Sequence, residues 1–196
     1  MIAAVNHGVC SPERCRSLRL LLDQLDGWRI PHRVVRGSPT ALDGAARTLA
    51  AALDAKPAAA RVLYIEDDAE LCPDFPRRIE QLEDGCRALL PDGVPAVVFL
   101  FSARMEADHT VAGARPVEGA VGALMSRAAV RRAVELAPGI RGGVPVERLL
   151  VNAAAGDDAT TWPSLVQHRG ELVSVHRPGS GGQGTRSPSY DARYSR

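Results

Sequence analysis

The sequence predicts a single α/β domain with a mostly parallel sheet and helices on both faces, and three observations carry that reading. Short apolar runs of strand length alternate with longer segments of helical periodicity. One of them, Val62-Leu63-Tyr64-Ile65, is continuous rather than alternating, as expected of a parallel strand covered on both sides. Aromatic residues make up only 4% of a 196-residue chain that is 45% hydrophobic. The core must therefore be packed with Ala, Val and Leu between helices and a sheet, and the length suffices for one domain.

Ile2 to Asn6 reads as a short buried strand. Ser11 then offers an N-cap, with Pro12 at the first helical position and Glu13 in the first turn. Leu18, Leu21, Leu22 and Leu25 repeat at helical spacing until Gly27. Arg33 to Arg36 is a second strand, closed by Gly37-Ser38-Pro39. A second helix carries Leu42, Ala45, Ala46, Leu49 and Leu53 on one face and stops before Pro57. Val62 to Ile65 runs straight into Glu66-Asp67-Asp68. A third helix spans roughly Asp74 to Leu90, and Ala96 to Phe101 is another buried strand. Ser102 to Gly113 is polar. Ala120 to Met125 reads as a strand leading through Ser126 into a helix with Val130, Ala133 and Val134, which Gly139 closes; a last helix begins near Pro145. From Arg177 to Arg196 the chain is rich in Gly, Ser and Arg and reads as a flexible basic tail on a domain of residues 1–176.

Charge and targeting signals exclude several classes. The 24 Lys and Arg nearly balance 23 Asp and Glu, leaving a net charge of +1 and no global field toward nucleic acid or a membrane. The N-terminus lacks the basic start and apolar run of a signal peptide, and no segment approaches the ~18 apolar residues of a membrane span. A cytoplasmic protein is expected. Cys10, Cys15, Cys72 and Cys86 match neither paired zinc knuckles nor a redox CxxC, and read as buried reduced thiols.

Three consecutive acids at the end of a buried strand are chemically demanding, because folding crowds like charges where partial desolvation makes their repulsion costly. Ligands of parallel sheets bind outside the carboxyl ends of strands, where this triplet stands. A divalent cation bridging to a diphosphate would offset the charge, since Mg²⁺ and Mn²⁺ take one or two carboxylates plus phosphate oxygens. The alternative is a solvated turn.

The stretch VLYIEDDAELCPDF resembles the segment of GT-A type glycosyltransferases in which an apolar strand delivers a DxD-like acidic triplet ahead of a helix. PSLVQHRGELVS, Pro163 to Ser174, is similar to a Pro-x-Leu-x-x-His-x-Gly segment near the C-terminus of such enzymes, among them N-acetylglucosaminyltransferases and the lipooligosaccharide galactosyltransferase group. Between them, GAVGALMSRAAVRRAVEL resembles the strand–Ser–Arg–helix stretch on the acceptor side.

The resemblance implies a nucleotide-diphosphate sugar as donor and Mn²⁺ or Mg²⁺ as cofactor. It makes Asp68 a metal ligand and His168 a second one. Glu66 would lie near the ribose, and Asp67 near the donor sugar or a supporting basic residue. Arg14 and Arg16 would face the donor phosphates. Glu147, in GGVPVERLL, matches the position of the catalytic base of an inverting transferase, where many relatives have Asp or a Glu-Asp pair. Each role has a plainer alternative. His168 could be a core histidine, Arg14 and Arg16 exposed helix residues, and Glu147 a first-turn glutamate favoured by the helix dipole. Asp157-Asp158 competes as base, although AAAGDDAT reads first as a turn. The acceptor would be a glycan, a small natural product or a hydroxylated base in DNA. Two other functions share the features: a non-catalytic nucleotide-sugar binding module without a working base, and a metal-dependent phosphohydrolase or nuclease, which needs further acids converging on the triplet.

Overall fold

A computed structural model of the chain describes residues 1–8, 11–38, 40–90, 92–101, 121–140, 144–161 and 164–169. Cys10, the polar stretch after Phe101 and the basic tail lie outside the described residues. Ser11 caps the first helix by accepting from the Arg14 amide at 3.2 Å, and Thr40 and Ser126 cap two later helices in the same way. The elements follow the order β1 (Ile2–His7), α1 (Pro12–Gly27), β2 (His32–Arg36), α2 (Ala41–Ala55), β3 (Arg61–Glu66), β4 (Ala69–Leu71) and α3 (Phe75–Leu89). They continue with β5 (Val97–Phe99), β6 (Gly122–Ser126), α4 (Arg127–Leu136), a short 3-10 turn at Ala137–Gly139, α5 (Val146–Ala154), β7 (Asp158–Thr160) and β8 (Val166–His168).

Six strands form one sheet in the order β2-β1-β3-β6-β5-β7. β1 pairs in parallel with β2 and β3, and β5 with β7; only β6 runs against its two neighbours. The sheet is thus mostly parallel, as the continuous apolar strands require. Alternation along β1 and β3 divides the core in two. Ile2, Ala4, Val62 and Tyr64 face α2, α4 and α5, whereas Ala3, Val5, Leu63 and Ile65 face α1 and α3. No described helix is long and apolar enough to cross a membrane.

Three short strands depart from the sequence reading. β4 interposes between the acidic triplet and α3, where the sequence reading assigns no element, and pairs antiparallel with β8 as a separate two-stranded ribbon. β7 begins at Asp158, so the expected turn at Asp157-Asp158 is instead the entry to an edge strand. The thiol reading also needs correction: Cys72 and Cys86 are buried thiols, but Cys15 is disulfide-bonded.

One close approach at the sheet's carboxyl edge has a measurable cost. Gly44 of α2 lies so near β1 that a Cβ there would stand 2.7 Å from Asn6 Oδ1 and 3.1 Å from the Ser38 Cβ. In an open helix, Gly→Ala is stabilising by roughly 0.5–1 kcal/mol. Here the clash with a buried, hydrogen-bonded side chain reverses the sign, and Gly44→Ala is expected to destabilise by about 1–3 kcal/mol in urea unfolding.

Candidate active site

The parallel pairing of β1 with β3 brings the ends of both strands together, with Asn6 opposite Glu66. His7, the last residue of β1, therefore meets Asp67, the first residue beyond β3. Its Nδ1 lies 2.5 Å from Asp67 Oδ2. The Gly8 amide donates to the same oxygen at 3.3 Å. On the other side, Arg14 from the first turn of α1 donates through one nitrogen to Asp67 Oδ1 at 2.5 Å and through the other to Asp68 Oδ2 at 3.4 Å.

Asp68 is completed from far along the chain. In the β4–β8 ribbon Ala69 pairs with His168, and the Arg169 amide donates to the Asp68 carbonyl at 2.8 Å. This sets His168 Nδ1 3.5 Å from Asp68 Oδ2. The imidazole packs edge-on against Phe101, with ring centroids 5.3 Å apart, which restricts its orientation. Asp68 Oδ1 is buried and has no hydrogen-bond partner among the described residues. A buried carboxylate oxygen without a donor is costly, and one beside an imidazole is suited to a cation. Among the described residues no group of three His, Cys, Asp or Glu could hold a metal ion.

The triplet straddles the edge of the sheet. Glu66 shares the face of Tyr64, toward α2 and α5, whereas Asp67 is bound by α1 on the opposite side. Their electrostatics differ accordingly. Burial pushes the Glu66 carboxyl well above the usual carboxylate range, and the charges of Asp68, Glu147 and Asp67 add to the effect. Burial also acts to raise Asp68, but the hydrogen bond and charge of His168, with Arg14 behind them, hold it below its ordinary value. Asp68 is thus the acid of the triplet whose surroundings lower its pKa, whereas burial, opposed by Arg14, raises Asp67.

Glu147 stands in the first turn of α5, partly exposed, and its charge reaches both Glu66 and Tyr64. The rival acids are elsewhere. Asp158 pairs with Val97, which is level with Val62 through Met125, at the amino end of β3. From there to Glu66 is about 13 Å at the rise of a strand. Asp157 accepts from the Ala96 amide at 2.8 Å and serves that end of the sheet. Arg16 is also not brought in: two residues beyond Arg14 on a helix is a rotation of about 200°, and its side chain is exposed on the outer side of α1. Sequence reasoning missed His7 and Asn6, although both end the strand that must lie beside β3.

The chain matches no family model and no curated protein. Among solved structures it is similar to the crystal structure of a glycosyltransferase involved in the glycosylation of the major capsid of PBCV-1, with 13% identity, a TM-score of 0.55 and 83% of each chain covered. The fold is of the GT-A, Rossmann-like kind. A second similarity, to A197 from STIV, has 13% identity and a TM-score of 0.47 over 85% of this chain and 84% of that one. At 13% identity, the first of these likenesses bears on the fold alone. It does not select a subgroup of transferases.

Proposed function

We propose that the protein is a glycosyltransferase that moves a sugar from a nucleotide-diphosphate donor to an acceptor hydroxyl, with inversion at the anomeric carbon. The observation that carries this reading is Asp68, favoured as an anion, with a buried Oδ1 that has no partner among the described residues, beside His168 at the carboxyl edge of a GT-A sheet. Asp68 and His168 would hold Mn²⁺, or Mg²⁺, and the carboxylate–imidazole pair favours Mn²⁺. A divalent ion bound there supplies positive charge to the departing diphosphate.

The chain's own groups do the rest. Glu66, on the α5 side, receives a hydroxyl of the donor ribose. Asp67 does not point at the sugar in this reading; it anchors Arg14, whose guanidinium balances both aspartates and keeps their repulsion from opening the β3 end. Arg14 thereby acts on the phosphates through the acids rather than by direct contact. Glu147, level with the site on α5, takes the proton of the attacking acceptor hydroxyl. The acceptor belongs to the glycans, small natural products or hydroxylated DNA bases. A nuclease or phosphohydrolase would need further carboxylates around Asp68, and the acids of α3 and β7 point to other parts of the molecule.

The test is thermal shift with a panel of nucleotide sugars in Mn²⁺, followed by detection of released nucleoside diphosphate. The parent protein is expected to be stabilised by one donor in a metal-dependent way. His168→Ala should raise the Mn²⁺ concentration needed for that shift by about tenfold or more while leaving the metal-free melting temperature near its parent value. An unchanged Mn²⁺ titration would make His168 a packing partner of Phe101 and remove the proposed metal site.

A further inference from the structure

Tyr64 lies in the middle of the described core and is completely buried, yet it carries a hydroxyl. Phenylalanine would fill the same space without the cost of desolvating a polar group, so the hydroxyl's partners must account for its presence. There are two. Asn6 Nδ2 donates to the Tyr64 oxygen at 3.1 Å, and the same oxygen lies 3.5 Å from Glu66 Oε1. A phenol has one proton. With Asn6 donating into the oxygen, that proton is directed at Glu66. Asn6 is itself held: it is 9% exposed, and its Oδ1 is turned against Gly44, where any side chain would collide with it. The line Gly44, Asn6, Tyr64, Glu66 therefore has a direction, running from a helix through the core to the first acid of the triplet. Burial and the charge of Glu66 keep the phenol far from ionising, which preserves it as a donor.

We propose that Asn6 and Tyr64 are positioning residues that fix Glu66 Oε1 from the core side, leaving Oε2 to accept a hydroxyl of the donor's ribose, so that these two buried side chains determine discrimination between ribonucleotides and deoxyribonucleotides. The inference rests on the nucleotide-sugar reading above and deepens it. An unanchored glutamate would sample several rotamers and lose entropy on every ligand contact. One anchored by a buried phenol presents a single acceptor, and a ligand lacking the hydroxyl would leave that acceptor desolvated and unpaired.

The experiment is calorimetry in Mn²⁺ with the common nucleoside diphosphates and their 2′-deoxy and 3′-deoxy counterparts. Parent protein is expected to prefer one ribonucleotide over a deoxy counterpart by about tenfold or more. Tyr64→Phe should reduce that ratio severalfold, chiefly by weakening the ribonucleotide. Asn6→Asp provides a second variant of nearly the same shape: a carboxylate only accepts, so it would draw the Tyr64 proton away from Glu66 and reduce the ratio likewise. A merely structural role would weaken both ligands together and leave the ratio intact. Tight ribonucleotide binding with a ratio unchanged in both variants overturns the positioning role alone. Failure of the parent to bind any nucleoside diphosphate in Mn²⁺ overturns the proposed function and this inference with it.

Discussion

Glu147→Gln is expected to lower turnover by about 10²–10⁴-fold while nucleotide binding stays within a factor of about two, the range typical of losing a general base. The argument is one of height and side. α5 spans nine residues, Val146–Ala154, and delivers the chain to β7 at the amino end of the sheet. Nine residues of helix rise about 13 Å, which matches the climb from Val62 to Glu66 and puts the first turn of α5 level with the acids. Asp68 and His168 lie toward the α1 and ribbon side, and Glu147 toward the other. A single displacement needs this separation, because the acceptor oxygen must attack from the face opposite the departing diphosphate. Glutamine keeps the size and the packing but cannot take a proton. The measurements are steady-state turnover, calorimetry of the donor, and the anomeric coupling of the product by proton NMR. A product with the donor's own configuration would reject the single displacement. An undiminished rate would remove Glu147 as base, and the position of Asp157 and Asp158 at the far end of β3 excludes them as substitutes.

Asp68→Asn is expected to weaken Mn²⁺-dependent binding of a nucleoside diphosphate by about a hundredfold or more, above the loss expected from a supporting residue. The substitution removes the carboxylate of the triplet whose surroundings lower its pKa and favour the anion. Arg14 would still be bound to Asp67, and the β4–β8 ribbon would still hold His168, so the fold should survive with melting near the parent temperature. Binding of nucleotide in Mn²⁺ as tight as the parent's would show that Asp68 is not a metal ligand and remove the main support of the proposed function.

The contrast between what could and could not be read from the chain follows element size. Helices α1 and α2 and strands β1 and β3 declare themselves because several turns of periodicity or four buried residues in succession leave few alternatives. β4, β7 and β8 have three residues each, too short for a period to repeat, and their pairing is decided by contacts across the fold. That is why the ribbon carrying His168 to Asp68 was invisible to local reasoning, and why Asp158 passed for a turn residue. Arg14 was legible as a basic residue after the first strand, but not its attachment to two aspartates, which depends on the angle at which α1 leaves β1. Glu66, Asp67 and Asp68 look like three equal charges in the sequence. Only the two sides of the sheet edge make them unequal.

The reversed strand β6 imposes a rule of parity on the rest of the chain. A helix after a forward strand begins at the carboxyl edge and returns the chain to the start of the next strand in one pass. β6 finishes at the amino edge, where Ser126 lies opposite Arg61, so one helix would leave the chain at the wrong end for the forward strand β7. Two passes are needed, and α4 and α5 make them; Arg132 of the first donates to the Ala153 carbonyl near the end of the second at 2.7 Å, as antiparallel neighbours do. The second pass must start at the carboxyl edge, and the start of a helix is its electropositive end. A single inverted strand thus obliges the fold to aim an additional helix dipole at the edge where the acids gather.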